Sequence, residues 1–459
     1  MTRHPLRRAL VLMLLLCATA APGRAEPPEL AGLDGRFIRE PVFDGDLLVY
    51  EGGRRDGPVV VLVHGIGTEA SAAWRHVIPG LTDDFRVVAF DLPGFGRSSH
   101  GSQPYTPDCY VRVLDHVIAE TAGDTPVHLL GHSLGGAVSL RYAGTHPERV
   151  ERLLLSNVAG ILHHSAYAEY LVPFATHSLT GGRIASAGPV DWLSGEVIRA
   201  ITRRVPDPAM VVESAMLRST ALRGNPRVIA GFALALTDYS ETLGRVQAPT
   251  SIFWGREDRI APLRVGRVLA DALPAAELTV FDDTGHAPML ERPDAFNRAL
   301  RARLTGDPPD AGRPSAPEPG QRRAECNGTD GRVFQGAYAS LTIRNCDNVT
   351  VRDASARIIT VENSSVTIVN TFIEGDAVGL EASNSQVTLT TGRIRADVPV
   401  VAASATLNIA GTRLEGDTAV LRATGAGKSE VTFSVTPVTT RNGRHYLHAL
   451  YAPAPGETL

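Results

Sequence analysis

Gly131-His132-Ser133-Leu134-Gly135-Gly136 lies directly after the apolar run Val127-His128-Leu129-Leu130 and directly before a helix-like stretch. A strand that turns sharply into a helix lifts the serine hydroxyl out of the fold, and so tight a turn admits only small residues on either side. That geometry makes a serine a nucleophile. The bare pattern has a plain competitor, because small-residue turns are common and serine favours them. The decision rests on whether the chain also supplies a base for the hydroxyl proton and a carboxylate that fixes the tautomer of that base.

Both follow downstream, acid before histidine. Thr250-Ser251-Ile252-Phe253-Trp254 reads as a short apolar strand and Gly255-Arg256-Glu257-Asp258-Arg259-Ile260 as the loop after it, with Asp258 the candidate acid. Leu278-Thr279-Val280-Phe281 reads as a further strand closing on Asp282-Asp283-Thr284-Gly285-His286, and His286 is the candidate base. Charge developing on a carbonyl oxygen needs donors aimed at it. Val59-Val60-Val61-Leu62-Val63 reads as a buried strand ending in His64-Gly65-Ile66-Gly67, where a loop can point a backbone N–H into the site. The amides of Ile66 and Leu134 are assigned to this oxyanion hole.

These pieces, with Asp91-Leu92-Pro93-Gly94-Phe95-Gly96-Arg97-Ser98 and Trp254-Gly255, stand in the order of the α/β-hydrolase family, which the chain resembles over about residues 36–304. The resemblance implies an α/β-hydrolase fold with a helical cap. It favours Asp258, three residues after Gly255, over its neighbour Glu257, which is read as a surface loop carboxylate. It also argues against dehalogenase and epoxide hydrolase chemistry, whose enzymes in this family carry aspartate where this chain has Ser133. Asp282 and Asp283 are read as turn-shaping residues. His132 is read as a packed or hydrogen-bonded histidine pointing away from the nucleophile, and His64 as orienting the oxyanion loop. His163-His164 has no Cys or acidic partner at ligand spacing and reads as a solvated loop, so no metal is expected, and no cofactor.

From 36 to 157, apolar strands alternate with helix-like segments near Trp74 to Leu81, Cys109 to Thr121 and Leu134 to Thr145, the pattern of a parallel sheet covered by helices on both faces. The alternation stops after Asn157 and resumes near Thr250, leaving residues 158–245 as the cap, with helix-like pieces at Pro208 to Leu222 and Val228 to Leu236. Trp74, with Phe174, Trp192, Phe232 and Tyr239 of the cap, is a candidate lining of an apolar substrate pocket; packing of cap on core is the competing reading. Residues 305–324, rich in Pro and Gly, read as a linker that ends a hydrolase domain of residues 26–304.

Residues 325–459 differ in character. Val349-Thr350-Val351, Val366-Thr367-Ile368, Val387-Thr388-Leu389, Leu407-Asn408-Ile409 and Val431-Thr432-Phe433 begin at intervals of 17, 21, 20 and 24 residues, and Asp376, Asp397 and Asp417 keep step. Repeats of about 20 residues, each too small to bury its own apolar face, must stack, and β-rich ones stack into a parallel β-helix. The module resembles the right-handed β-helices of exported polysaccharide-acting proteins. The predicted fold class is therefore α/β, an α/β-hydrolase fold with a helical cap, followed by a small all-β parallel β-helix domain; a β-sandwich with chance spacing is the competitor.

The N-terminus runs basic (Arg3, Arg7, Arg8), apolar (Ala9 to Leu16), then small (Gly23-Arg24-Ala25), the pattern of a signal peptide of residues 1–25. The apolar run is shorter than the roughly 18 residues of a membrane span. Export to the periplasm or outside the cell follows as the expectation, and in an oxidising compartment Cys326 and Cys346 are positioned to pair. Cys109 reads as a buried or semi-buried thiol. Net charge is −4 and only Lys428 among the cations is lysine; with no basic run after the signal segment, neither nucleic acid nor an anionic membrane is an implied partner.

The expected function is an exported serine hydrolase acting on a small-molecule acyl substrate, with a carboxylic ester as the expected bond and a carboxylesterase or lipase-like enzyme as the expected type. C–C bond, amide or peracid chemistry on the same residues is the alternative. From a different class comes a surface binding protein whose β-helix recognises a glycan or partner.

Overall fold

The computed structural model describes residue 30 and residues 32–166, 209–220, 222, 224–309 and 316–459. The expected signal peptide, with Phe174 and Trp192 of the expected pocket, lies outside the described residues. The chain forms two compact units, the first of residues up to 266 and 273–311 and the second of residues 267–272 and 312–459.

The first unit is built on an eight-stranded sheet: β1 (Leu33–Glu40), β2 (Gly45–Gly53), β3 (Val59–Val63), β4 (Arg86–Phe90), β5 (Val127–His132), β6 (Val150–Ser156), β7 (Thr250–Gly255) and β8 (Ala276–Phe281). They lie in the order β1-β2-β4-β3-β5-β6-β7-β8. β2 pairs antiparallel with β1 and β4, and the others run parallel. β3, β5 and β7 are buried at every position, so their sequences show no regular polar–apolar alternation, which strands covered on both faces do not need. The helix Pro107–Ala122 begins at Thr106, whose side chain accepts from Cys109 N, with Pro107 pre-set for the first turn. Between β6 and β7 the described residues form the helices Ala209–Glu213, Ala215–Thr220, Pro226–Leu236 and Ser240–Arg245.

Three local readings change. Trp74 to Leu81 is not a helix but two short 3-10 turns, Ala70–Trp74 and Ile78–Gly80, because Pro79-Gly80 cannot continue an α-helix. The piece Pro208 to Leu222 holds two short helices, Ala209–Glu213 and Ala215–Thr220. His163 is buried rather than solvated, its ring centroid 4.0 Å from that of His164.

The second unit is all-β, and its chain alternates between two sheets. One takes Arg323–Asn327, Ser340–Arg344, Ile358–Glu362, Val378–Ser383, Val398–Ala403 and Leu421–Thr424, all parallel. The other takes Val333–Ala337, Val349–Ala356, Ser365–Glu374, Gln386–Arg395, Thr406–Ala410 and Glu430–Thr440, also parallel. This is the arrangement of a parallel β-helix, and the sequence repeats are its coils: Val349, Val366, Val387, Leu407 and Val431 are successive register partners in one buried column. The aspartate series forms a second column through its backbone, Asp397 N donating to Asp376 O at 2.9 Å and Asp417 N to Asp397 O at 3.2 Å. Asn345, Asn363 and Asn384 turn the chain at φ of 52°, 48° and 46°, a left-handed conformation that asparagine tolerates. Their amides donate across to the next carbonyl, and Asn363 Nδ2 also donates to Asn345 Oδ1.

A disulfide joins Cys326 to Cys346 in the first coils, with Cα atoms 6.6 Å apart. Ser355 Oγ donates to Glu318 O at 2.8 Å, so the last residues of the Pro-rich stretch already pack on this unit. At the other end the winding reverses: Gly443–Tyr451 pairs antiparallel with Glu430–Thr440, and Leu459 N donates to Leu421 O.

Candidate active site

Ser133 stands between β5 and the helix Leu134–Thr145 at φ 54°, ψ −117°, a conformation that a non-glycine residue holds only when its surroundings impose it. The surroundings are tight. A Cβ on Gly131 would come within 2.3 Å of Gly135 O, and one on Gly135 within 2.1 Å of Val63 O. Ser133 N donates to Ser156 O at 3.0 Å, which anchors the turn to β6. Leu134 N is the first helical amide, one of those a helix leaves without an internal partner, at the positive end of its dipole.

Asp258, in the loop after β7, has a fully buried side chain. Its Oδ1 accepts from Ile260 N at 2.8 Å and Ala261 N at 2.9 Å. Its Oδ2 lies 2.8 Å from His286 Nδ1, so His286 carries a proton on Nδ1 and presents Nε2 as the basic nitrogen. The side chain of His286 is 18% exposed. Glu257, the rival acid, is turned elsewhere: its Oε2 accepts from Thr284 N at 2.8 Å. It remains an exposed loop carboxylate, as expected, and from there it braces the histidine loop.

The loop after β3 packs against the nucleophile. A Cβ on Gly65 would lie 2.7 Å from Ser133 Cβ, so the loop carrying Ile66 sits directly on the elbow. His64 orients that loop. Its Nε2 accepts from Leu92 N at 2.9 Å, which leaves the proton on Nδ1 to donate to Gly65 O at 2.8 Å. Burial lowers the pKa of His64, so the ring stays neutral. Asp91 ties the neighbouring loop, accepting from Ser71 N and Arg97 N.

His132 is packed and hydrogen-bonded against the histidine loop. Its Nε2 donates to His286 O at 2.9 Å. Burial above all, with the adjacent His286, pushes its pKa down to about 3, so the ring is neutral near pH 7.

Asn157, directly after β6, figures in the sequence pattern only as the place where the regular alternation stops. It is fully buried at φ 46°, and its Nδ2 donates to Asp258 Oδ2 at 2.6 Å, the same oxygen that faces His286. The one signal that marks it in sequence is its place at a strand's carboxyl end, where sites on such sheets collect. Glu291 was also missed; its carboxylate accepts from Gly285 N and Ala287 N on either side of His286.

The pocket candidates are spread out. Trp74 is fully buried in an apolar cluster, edge-on to His132 with ring centroids 6.5 Å apart. Tyr239 is fully buried, with the guanidinium of Arg141 5.9 Å from its ring centroid, two turns along the helix from Ser133. Phe232 is half-buried on the cap helix Pro226–Leu236. That helix does approach the oxyanion loop, since a Cβ on Gly231 would meet Ile66 Cδ1 at 3.5 Å. Among the described residues no cluster of His, Cys, Asp or Glu is arranged to hold a metal ion, and no helix is long and apolar enough to cross a membrane.

Residues 60–299 match the alpha/beta hydrolase family. The 2-hydroxy-6-oxononadienedioate/2-hydroxy-6-oxononatrienedioate hydrolase of Cupriavidus pinatubonensis is 31% identical over 52% of this chain and 84% of its own. The pimeloyl-[acyl-carrier protein] methyl ester esterase of Vibrio atlanticus is 29% identical over 52% of this chain and 92% of its own. The dihydrolipoyllysine-residue acetyltransferase component of the acetoin cleaving system of Pseudomonas putida is 30% identical over 63% and 80%. With this match over half its length, and the sheet order described above, the chain belongs to the α/β hydrolase family and is a hydrolase.

Proposed function

We propose that the protein is an exported serine hydrolase that cleaves a carboxylic ester through an acyl-enzyme. The observation that carries this reading is the 2.8 Å contact between His286 Nδ1 and Asp258 Oδ2, together with a serine held at φ 54° in a strand-to-helix turn. In this mechanism Ser133 Oγ attacks the acyl carbon while His286 Nε2 takes its proton, and Asp258 stabilises the imidazolium that forms. The amides of Ile66 and Leu134 hold the oxyanion. His286 then protonates the departing alcohol, and water activated by the same nitrogen releases the acid.

An aryl fluorophosphonate tests the nucleophile without knowledge of the substrate. It is expected to modify Ser133 in the wild type and nothing in Ser133→Ala; labelling that survives the substitution refutes the assignment. A panel of p-nitrophenyl esters, p-nitroanilides, peracid-forming conditions and vinylogous diketones then separates the bond types. C–C cleavage is the second reading, supported by the similarity to a hydrolase of 2-hydroxy-6-oxo acids. No turnover of any ester beside clear cleavage of a diketone selects it.

Periplasmic or extracellular location is supported by the basic, apolar and small order of residues 1–25 and by the cysteine pair. The repeated second unit is proposed to bind a glycan or surface partner, which a glycan array probed with the full chain tests.

A further inference from the structure

The segment 284–287 that carries His286 belongs to no strand or helix, and the single turn Pro288–Glu291 follows it directly. Its main-chain groups are held by side chains. Glu291 Oε2 accepts from Gly285 N at 2.6 Å and Oε1 from Ala287 N at 2.9 Å, so one carboxylate grips the amides of the two residues on either side of the histidine. The grip is reciprocal, because Glu291 N donates back to Ala287 O at 2.9 Å. The carbonyl between these two amides, His286 O, accepts from His132 Nε2 at 2.9 Å. His132 is the residue directly before the nucleophile, and its ring centroid lies 4.9 Å from that of His286. A Cβ on Gly285 would fall 3.1 Å from Glu291 Oε1, so glycine there lets the carboxylate approach.

Given the triad reading on which this rests, we infer that Glu291 and His132 are positioning residues that hold His286 in register with Ser133 by clamping its backbone on both sides. The clamp has a physical purpose. The contact with Asp258 fixes the ring through Nδ1 alone, which leaves the ring free to swing about that nitrogen and carry Nε2 away from the serine. Fixing the preceding amide, the histidine's own carbonyl and the following amide removes that freedom at its root. Because His132 adjoins Ser133, the same bond ties the base directly to the nucleophile's turn. Catalytic groups must be held within about half an ångström of productive geometry, and a misplacement of about 1 Å costs about a hundredfold in rate.

The test uses the full chain and the second-order rate of fluorophosphonate labelling at Ser133, with kcat and KM for a p-nitrophenyl ester and the melting temperature recorded beside it. Glu291→Gln keeps the length of the side chain but replaces one acceptor oxygen with a donor that opposes an N–H. His132→Phe keeps a ring and removes the donor, whereas His132→Gln restores an N–H at the same reach. Glu291→Gln and His132→Phe are expected to lower kcat and the labelling rate about 10- to 100-fold with KM within about threefold, and His132→Gln is expected to recover most of the loss. Labelling and kcat within threefold of wild type in both, whatever the melting temperature does, overturns the clamp. So does equal loss in His132→Phe and His132→Gln. If wild type itself is never labelled, the triad reading fails; if wild type is labelled at Ser133 and the variants match it, the clamp alone fails.

Discussion

Substituting Gly65 by alanine adds one methyl group to the oxyanion loop, and the structure says where that group goes. The new Cβ would stand 2.7 Å from Ser133 Cβ, 2.9 Å from His132 Nδ1 and 3.1 Å from His132 O. Two carbon atoms pack at about 3.5 Å, so the overlap with Ser133 is about 0.8 Å. Ser133 and His132 lie on a turn with no slack, braced by close approaches at Gly131 and Gly135. The loop is therefore the part that yields, and it takes the Ile66 amide with it. An oxyanion donor works over a window of about 2.7 to 3.1 Å, narrower than the required shift, and losing one such donor costs about 100- to 1,000-fold in kcat, roughly 2.7–4 kcal/mol. Gly65→Ala is accordingly expected to lower kcat about 100-fold, with KM within about threefold because ground-state binding does not use the charge on the oxygen. The stability cost is about 1–3 kcal/mol, that of an overpacked site. Steady-state kinetics on a p-nitrophenyl ester, normalised to folded protein by circular dichroism, measures the effect. Ile66→Val, which changes only a side chain, is the control and is expected to stay within a few-fold. A Gly65→Ala enzyme with kcat within threefold of wild type removes the Ile66 amide from the oxyanion hole.

Asp258→Asn presents an amide where His286 Nδ1 now donates, which forces the wrong tautomer; kcat is expected to fall about 10,000-fold while Ser133 stays in place, as single-turnover kinetics will show. The buried His132, neutral down to a pKa of about 3, binds its proton in the unfolded chain near pH 6.5 and in the folded one only far below, so its contribution to stability is complete above pH 6.5 and is lost as pH falls from there toward 3. The slope from this group alone is about 1.4 kcal/mol per pH unit, and burial shifts His64 and His128 the same way. Denaturant midpoints of wild type and His132→Gln, compared between pH 6.5 and 4, are expected to converge on acidification; parallel curves contradict the buried neutral ring. Replacing both Cys326 and Cys346 with serine opens a loop with a sequence separation of 20 residues and is expected to cost about 3 kcal/mol, seen as an earlier calorimetric transition.

Much of the molecule was legible because its decisive residues act through local rules. The elbow shows itself because Gly131 and Gly135 leave no room for a Cβ, and the β-helix because Val349, Val366, Val387, Leu407 and Val431 must all face one interior. Asp258 and His286 announce themselves by standing just past apolar strands. Asn157 and Glu291 are different: their roles consist of hydrogen bonds to atoms 101 positions away or to main-chain amides, and neither leaves a trace in periodicity or composition. The β1–β2 hairpin is illegible in sequence for another reason. Strand β1 is mostly exposed, with Phe37 55% exposed, so it carries no buried run to read. Glu257 is the surface carboxylate its loop suggests, while its bond to Thr284 N is invisible in sequence because nothing in its neighbours tells which loop amide it will reach.

The antiparallel turn-back at Gly443–Tyr451 governs how such a module can change in length. A coil appended beyond it would meet a neighbour running the wrong way and could not continue the parallel register, whereas a coil of about 20 residues spliced between two existing ones finds matching edges above and below. Enlargement by internal duplication is therefore open to this architecture, and enlargement at its C-terminal edge is closed.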